Sequence, residues 1–182
     1  MDLLKLMRSN QKKKIIFDAN VIIDLHNLEL WSQVIHGCDA AIGSVIHGET
    51  RFYIDKKGNK KPINLAKQIA EKKIEIVCAS LKDIAALSAL LNDFFLDSID
   101  AGEQEIIALI HSSQRKNEFL FCTADKLAIE CLGILGLRYQ GISLEELLQK
   151  LHIPTKLRLS YSKQAFEKML CEGFQEAHLH KN

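Results

Sequence analysis

Four acidic residues of the sequence lie after short apolar runs or within the helical patterns that follow them. Asp18 and Asp125 directly follow apolar runs, Glu49 lies in the helix entered through Gly43-Ser44, and Glu103 opens the helix Ala101 to Ser112. If these segments meet in space, the carboxylates repel one another, and such a cluster stays ionised mainly when a divalent cation neutralises it. Oxygen ligands without cysteine or histidine partners favour Mg²⁺ or Mn²⁺ over Zn²⁺. The chemistry that this set predicts is metal-assisted hydrolysis of a phosphodiester bond.

Each acid also has an ordinary explanation. Asp18 and Asp125 have the positions of helix N-caps, Glu49 could be a solvated helix residue, and Asp100 and Glu103 have the spacing of a capping box. Taken together, these explanations require four coincidences at one edge of a sheet, beside the polar residues Asn20, Ser44 and Thr123. We therefore expect the four acids to be catalytic metal ligands. Asp100 stays open between a helper of the ligands and a simple helix cap, with the cap favoured.

The elements that must position these residues follow from hydrophobic periodicity. Short runs rich in β-branched or aromatic residues predict strands at Lys14 to Phe17, Ala40 to Ile42, Ile74 to Cys78 and Phe119 to Cys122. A 3.6-residue period predicts helices at Val21 to Leu30, Val45 to Tyr53, Asn64 to Lys72, Leu81 to Asn92, Ala101 to Ser112, Lys126 to Gly133, Leu144 to Leu151 and about Ser162 to Glu172. This alternation predicts a parallel sheet covered on both faces, with ligands bound beyond the carboxyl ends of its strands.

Composition sets the class of protein. A chain of 182 residues that is 47% hydrophobic predicts one domain, and 24 basic against 23 acidic residues leave any nucleic-acid binding to local charge. Five cysteines without C-x-x-C spacing argue against a disulfide framework or a zinc ribbon and favour reduced thiols in the cytoplasm. The first residues lack the order of a signal peptide, and no stretch is long and apolar enough to span a bilayer, so we expect no membrane partner.

We divide the chain into an N-terminal extension at 1–13, a catalytic domain at 14–142 and a helical C-terminal extension at 143–182 that packs on the same domain. The segment Ile54 to Ile63 does not continue the alternation of strand and helix. It is a basic run centred on Gly58-Asn59, which predicts an exposed turn or hairpin. Its lysines either contact RNA phosphates or are solvated surface: Lys56, Lys57, Lys60 and Lys61.

Other residues with reactive or aromatic side chains receive structural interpretations. Cys122 and Cys78, in and beside strand patterns, are expected to be small buried hydrophobes rather than nucleophiles. Trp31 has helical spacing and is expected in the core or in a dimer contact, and His47 is expected on a helix surface. Asp24 lies about two turns beyond Asp18 and is expected to be peripheral.

The order of the acidic motifs resembles the PIN-domain family. Four segments carry the likeness, in the order of that family: Ile16-Phe17-Asp18-Ala19-Asn20, Ser44-Val45-Ile46-His47-Gly48-Glu49, Asp100-Ala-Gly-Glu103-Gln-Glu105 and Phe121-Cys-Thr123-Ala-Asp125. The resemblance covers Ile15 to about Gly141. It implies a three-layer α/β/α fold with a central parallel sheet of four or five strands and a helical C-terminal extension. It also implies RNA cleavage with Mg²⁺ or Mn²⁺ held by the four acids, and Asn20, Thr123 and Ser44 as residues that orient them.

The resemblance implies RNA as the substrate and, in toxin members of the family, an antitoxin protein and a homodimer as partners. The basic segment and residues 143–182 depart from the short toxins, so the toxin assignment stays open. One rival is aspartyl phosphotransfer, which Asp18-Ala-Asn20 fits poorly because it is not D-x-D and no strand-end lysine is evident. The other is a catalytically weak PIN-like binding or assembly module. The complete acid set argues against this module, because clustered like charges destabilise a fold without a metal.

Overall fold

The computed structural model describes residues 13–91, 93–112 and 117–179. The strands in these ranges are β1 Lys14–Phe17, β2 Ala40–Gly43, β3 Phe52–Ile54, β4 Lys60–Pro62, β5 Ile74–Val77, β6 Phe119–Cys122 and β7 Gly141–Ile142. The α-helices are α1 Ala19–Asn27, α2 Trp31–Gly37, α3 Ser44–Glu49, α4 Ala66–Ala70, α5 Leu81–Ser88, α6 Asp93–Asp97, α7 Ala101–His111, α8 Lys126–Ile134, α9 Leu144–Lys150 and α10 Lys163–Leu179. A 3-10 turn spans Leu159–Tyr161.

Five strands form one parallel sheet in the order β5-β2-β1-β6-β7. The central strand β1 is covered on both faces, because Ile15, Ile16 and Phe17 are all buried although successive side chains of a strand point to opposite faces. Helices flank the sheet, so the expected α/β class and a parallel sheet of four or five strands are confirmed, in an arrangement compatible with three layers. The order reverses at β1, which makes the crevice between the carboxyl ends of β1 and β6 the topological switch point where ligands of such sheets bind.

The basic segment forms the predicted hairpin. Strands β3 and β4 pair antiparallel, apart from the main sheet. The Asp55 carboxylate closes the turn by accepting hydrogen bonds from the Lys57 and Asn59 amides, both at 2.9 Å. Gly58 has a φ of +80°, a conformation that side chains with a Cβ rarely adopt. The lysine side chains of the hairpin are therefore displayed on a locally ordered support.

Two predicted helices are wrong in extent near the first two strands. The helix expected at Val21 to Leu30 ends at Asn27, because Glu29 adopts a left-handed φ of +62° and a separate helix, α2, follows. The helix expected at Val45 to Tyr53 ends at Glu49. Its last two residues, Phe52 and Tyr53, are aromatic types that favour strands, and they pair with β4 instead.

Other differences concern the second half of the chain. The helix expected at Leu81 to Asn92 ends at Ser88, and α6 was not predicted. The helix at Asn64 to Lys72 shortens to Ala66–Ala70, since Lys72 has a φ of +57°. The expected burial of Cys78 is wrong, because this residue follows the edge strand β5 and its side chain is exposed.

The core contains most of the apolar residues from which the strands and helices were predicted. Trp31 is buried, as expected, and its ring meets Phe17 edge-on with 5.5 Å between the ring centres. Cys122 is buried as expected, and all five cysteines carry thiols. Among the helices of the described ranges, none combines the length and the hydrophobicity that a bilayer crossing requires.

The last helix packs backbone to backbone against α8. A Cβ atom at Gly173 would lie 2.0 Å from the Glu130 carbonyl oxygen, and one at Gly133 would lie 2.3 Å from the Leu170 carbonyl oxygen. Only glycines permit this approach of two helices. Helix α10 is thereby joined to the helix that begins directly after Asp125.

Candidate functional site

Asp18 leaves the carboxyl end of β1 and points into the protein, with only 3% of its surface exposed. Its Oδ2 accepts a hydrogen bond of 3.3 Å from the Thr123 hydroxyl. Burial raises the pKa of Asp18 to about 6, and the nearby charges of Asp125 and Asp100 act in the same direction. Asp18 occupies the N-cap position of α1, where its carboxylate accepts a hydrogen bond from the adjacent Ala19 amide but makes no capping hydrogen bond to the amides further along the helix. The ordinary N-cap explanation therefore does not account for this residue.

Glu103 lies in the first turn of α7 and is 5% exposed. Burial raises its pKa to about 8, and the charges of Asp125, Asp18 and Asp100 add to this effect. The backbone amide of Asp100 donates a hydrogen bond to the Glu103 carboxylate, which is one half of the capping box considered above. The other half is missing within the described chain, because the Asp100 side chain is exposed and does not cap α7.

Asp125 follows β6 and caps α8, its Oδ1 accepting a hydrogen bond of 2.9 Å from the Ala128 amide. The N-cap explanation is thus correct for Asp125, while its charge also acts on Asp18 and Glu103. The Thr123 hydroxyl accepts a hydrogen bond of 3.0 Å from the Asp125 amide and donates to Asp18. One hydroxyl therefore links the ends of the two neighbouring strands that carry acids.

Glu49, the last residue of α3, is exposed. Its Oε2 lies 3.7 Å from the place that a Cβ atom would occupy on Gly102, the residue before Glu103. The same position is 2.7 Å from Ile46 Cγ1, so α3 and α7 approach closely there. Glu49 thus lies beside the start of α7, on the solvent side of the buried acids.

The three expected polar helpers have different surroundings. Thr123 contacts Asp18 and Asp125, as described. The Ser44 hydroxyl donates instead to Glu105, which is not among the four predicted acids. Asn20 is exposed, and within the described chain its side chain has no hydrogen bond to Asp18; its backbone carbonyl lies 3.5 Å from the Tyr161 hydroxyl.

Asp24, His47 and the hairpin lysines have surroundings other than the buried acids. The Asp24 carboxylate binds Arg158 and the Tyr161 hydroxyl in the C-terminal extension. His47 is exposed on α3, as expected. The four hairpin lysines are exposed, and the Lys60 ammonium lies 3.6 Å from the centre of the Phe52 ring.

Sequence reasoning missed Glu105. This residue is 4% exposed and accepts hydrogen bonds from the Ser44 hydroxyl and, at 3.1 Å, from the Val45 amide. A signal was present, since Glu105 stands amid the apolar run of α7 and a glutamate is almost never fully buried without partners. Its partners, however, lie 60 residues away in the sequence.

The thiols near the acids are poor nucleophiles. Burial raises the pKa of Cys122 far above its usual range, and Asp18 adds to the shift. Burial likewise raises the pKa of Cys131 to about 12, with a contribution from Glu103. Because the thiolate is the reactive form, these cysteines do not supply the chemistry of the site.

The donors gathered at the switch point are carboxylate and hydroxyl oxygens, which fit a hard cation such as Mg²⁺ or Mn²⁺. In the part of the chain that the structure describes, no three Asp, Glu, His or Cys side chains converge closely enough to hold an ion as they lie. A shared ion would therefore have to draw the carboxylates closer together. The residues fit the metal by chemistry and by position in the fold, and binding would include a local rearrangement.

No model of a known protein family matches the chain, and neither a curated protein nor a solved structure matches it. Its function has to be inferred from the chemistry of the site itself. That chemistry is a set of acids, two of them buried and protonated more readily than usual, at the ligand-binding edge of a parallel sheet.

Proposed function

We propose that the chain is a Mg²⁺- or Mn²⁺-dependent endoribonuclease of the PIN type, whose metal ligands are Asp18, Glu49, Glu103 and Asp125. The observation that carries the proposal is the burial of the Asp18 and Glu103 carboxyls at the switch point of the sheet, within electrostatic reach of Asp125. Within the described chain, no lysine or arginine forms an ion pair with either buried acid.

Buried carboxylates without a cationic partner destabilise a fold, so their presence needs a reason other than stability. A divalent cation would offset both the burial and the mutual repulsion of these groups. When bound, such an ion supplies Lewis-acid activation of water and neutralises charge on a phosphate. The protein contributes the fixed ends of β1 and β6, where Thr123 orients Asp18 and the Ala128 amide orients Asp125.

The hairpin supports RNA as the substrate class. Its base is continuous with α3, because the Arg51 amide donates to the Glu49 carbonyl and the Ile63 amide donates to the Arg51 carbonyl, both at 2.9 Å. The exposed lysines of the hairpin thus begin a few residues beyond one proposed metal ligand. Cationic side chains there would bind the phosphates of an RNA strand without recognising its base sequence.

A catalytically weak binding or assembly module of the same fold is the second candidate function. The exposure of Glu49 and the incomplete convergence of the acids favour it. If the chain is the toxin of a toxin-antitoxin pair, an antitoxin protein and a second copy of the chain are its expected partners. Growth arrest on expression would test the toxin assignment, and light scattering of the purified chain would test the homodimer.

The deciding experiment is cleavage of a fluorophore-labelled single-stranded RNA by the full chain after EDTA treatment, with and without added Mn²⁺ or Mg²⁺. We expect cleavage only with metal. Asp125→Asn is the sharpest variant, because asparagine caps a helix as well as aspartate does but carries no charge. It should fold and lose cleavage, whereas Asp24→Asn, which changes an aspartate bound to Arg158, should keep it. Cleavage in EDTA, or an active Asp125→Asn variant, would contradict the proposal.

A further inference from the structure

We propose that Glu105 is a positioning residue that holds the first turn of α3 and thereby sets the place of Glu49 beside α7. The effect of Glu105 on metal binding rests on the function proposed above, whereas its stabilisation of α3 does not.

The contact is a helix cap supplied from another helix. Gly43 occupies the N-cap position of α3 and has no side chain with which to accept hydrogen bonds from the first amides. The Glu105 carboxylate takes that role, with Oε2 accepting from the Val45 amide at 3.1 Å and Oε1 accepting from the Ser44 hydroxyl. A buried carboxylate is thus used to satisfy the start of a distant helix.

Gly43 leaves room for this contact. A Cβ atom there would lie 2.8 Å from Glu105 Oε2 and 2.7 Å from Ile106 Cδ1, so a larger residue would displace the ends of these two side chains. The glycine therefore allows the Glu105 carboxylate to reach the first turn of α3.

The same two helices meet again near the end of α3, where Ile46 and Glu49 border Gly102. Helix α3 is only six residues long, too short to be stable without tertiary contacts. Its position is consequently set by α7, which carries the proposed ligand Glu103 and, two residues on, Glu105. One helix would then supply one ligand and place a second.

The test compares Glu105→Ala with Glu145→Ala in the full chain. Glu145 is a matched control, because its Oε2 likewise accepts a hydrogen bond from a helix-starting amide, that of Lys163 at 2.7 Å, in the C-terminal extension. Two quantities are measured: amide hydrogen exchange across α3, and Mn²⁺ affinity by calorimetry. Glu105→Gln, which keeps an acceptor oxygen, and Ser44→Ala, which keeps the Val45 contact, are milder variants in case Glu105→Ala does not fold.

We expect Glu105→Ala to speed exchange of the Val45 amide and its neighbours in α3 by about tenfold, the effect of losing one buried hydrogen-bond acceptor, and Glu105→Gln to restore part of the protection. Mn²⁺ affinity should fall by a similar factor in Glu105→Ala. Glu145→Ala should change neither quantity. Because Glu105 acts through Glu49, Glu105→Ala should have little further effect on affinity in a Glu49→Gln background.

Unchanged exchange in α3 would overturn the proposal, and so would fully additive effects of the Glu105 and Glu49 substitutions on Mn²⁺ affinity. If the parent chain binds no Mn²⁺, the proposed metal site fails. The exchange comparison then still supports or overturns the hold of Glu105 on α3.

Discussion

The Thr123 hydroxyl lies 3.3 Å from Asp18 Oδ2 and joins the end of β6 to the end of β1 inside the core. This hydrogen bond lowers the pKa of Asp18, whereas burial raises it, and burial has the larger effect. Thr123 thus reduces the cost of ionising a carboxyl that would have to be charged to hold a cation.

Replacing Thr123 with valine keeps the shape of the side chain and removes the hydroxyl. The pKa of Asp18 should rise further, so Mn²⁺ affinity at pH 7 should fall by roughly three- to tenfold, as expected from the loss of one hydrogen bond to a charged group. Raising the pH should recover much of the affinity. Calorimetric titrations between pH 6 and 8.5 measure this.

Ser143→Ala is the control for Thr123→Val, because Ser143 is also buried and accepts a hydrogen bond of 3.1 Å from the Glu146 amide, far along the chain. It should lower stability by about 1 kcal/mol, as the loss of an N-cap does, without changing the pH dependence of metal binding. Equal pH profiles for Thr123→Val and the parent would contradict the role given to the Thr123 hydroxyl.

Asp18→Asn should move stability and activity in opposite directions. Without metal, the variant should be more stable than the parent at pH 8, by on the order of 2 kcal/mol, since the parent must keep a buried carboxylate charged. With saturating Mg²⁺ the difference should narrow or reverse, because the parent gains more binding free energy from the ion. Thermal melts with and without Mg²⁺, beside an RNA cleavage assay, measure both effects.

If Asp18 were merely an N-cap, asparagine would replace it almost without loss. Melting temperature, metal response and cleavage would then all stay near the parent values, and the metal-site proposal would fail at this residue.

The pKa values of Asp18 and Glu103, about 6 and about 8, predict how stability without metal depends on pH. Between the ordinary carboxyl values near pH 4 and these raised values, the folded chain binds protons that the unfolded chain has released. The free energy of unfolding in EDTA should therefore fall as pH rises from about 4 to 8, and the stabilising contribution should be complete below pH 4. Urea unfolding at a series of pH values measures it.

Glu103→Gln isolates the upper part of that pH range. Glutamine cannot ionise, so the difference in stability between variant and parent should grow from pH 6 to pH 8. Contributions of groups that are common to both proteins cancel in this difference. A difference that is constant over this range would show that Glu103 is an ordinary carboxylate.

The hairpin lysines should govern the salt dependence of RNA binding. RNA binding is measured in the Asp125→Asn background, which should not cleave the RNA. Changing Lys56, Lys57, Lys60 and Lys61 to glutamine there should weaken RNA binding and reduce its salt slope. In the chain that keeps Asp125, the same four changes should leave the Mn²⁺ affinity unaltered. The control changes four lysines elsewhere, Lys82, Lys150, Lys163 and Lys168. An equal salt slope for the hairpin and control variants would leave the hairpin as solvated surface.

Gly173→Ala should separate α10 from α8. Its Cβ atom would lie 2.0 Å from a carbonyl oxygen of α8, and forcing backbones apart in this way should cost about 2 kcal/mol or more. Gly48→Ala is the contrast, because that helical glycine has open space around its Cβ position and should gain up to about 1 kcal/mol. Equal stabilities of the two variants in urea would contradict the close packing of α8 and α10.

Local patterns were sufficient for four of the five strands of the sheet and for the edge that holds the acids, whereas the two-residue strand β7 was not predicted. The strands at Lys14–Phe17 and Phe119–Cys122 were predicted to the residue, because a short buried strand is a continuous apolar run in any surroundings. Since parallel strands end at one edge, the predicted proximity of Asp18 and Asp125 followed from the strands alone. The hairpin was predictable for the same reason, since its turn depends on Asp55 and Gly58 within it.

Only the tertiary structure decided what depends on partners distant in the chain. Cys78 is exposed because β5 lies at the edge of the sheet. The residues that follow Glu105 in the sequence are apolar, and its hydrogen bond from the Ser44 hydroxyl forms only when α3 packs against α7. Hydrophobic periodicity indicates which residues are buried. A contact between residues 60 positions apart depends on how the helices pack, which a local sequence pattern does not determine.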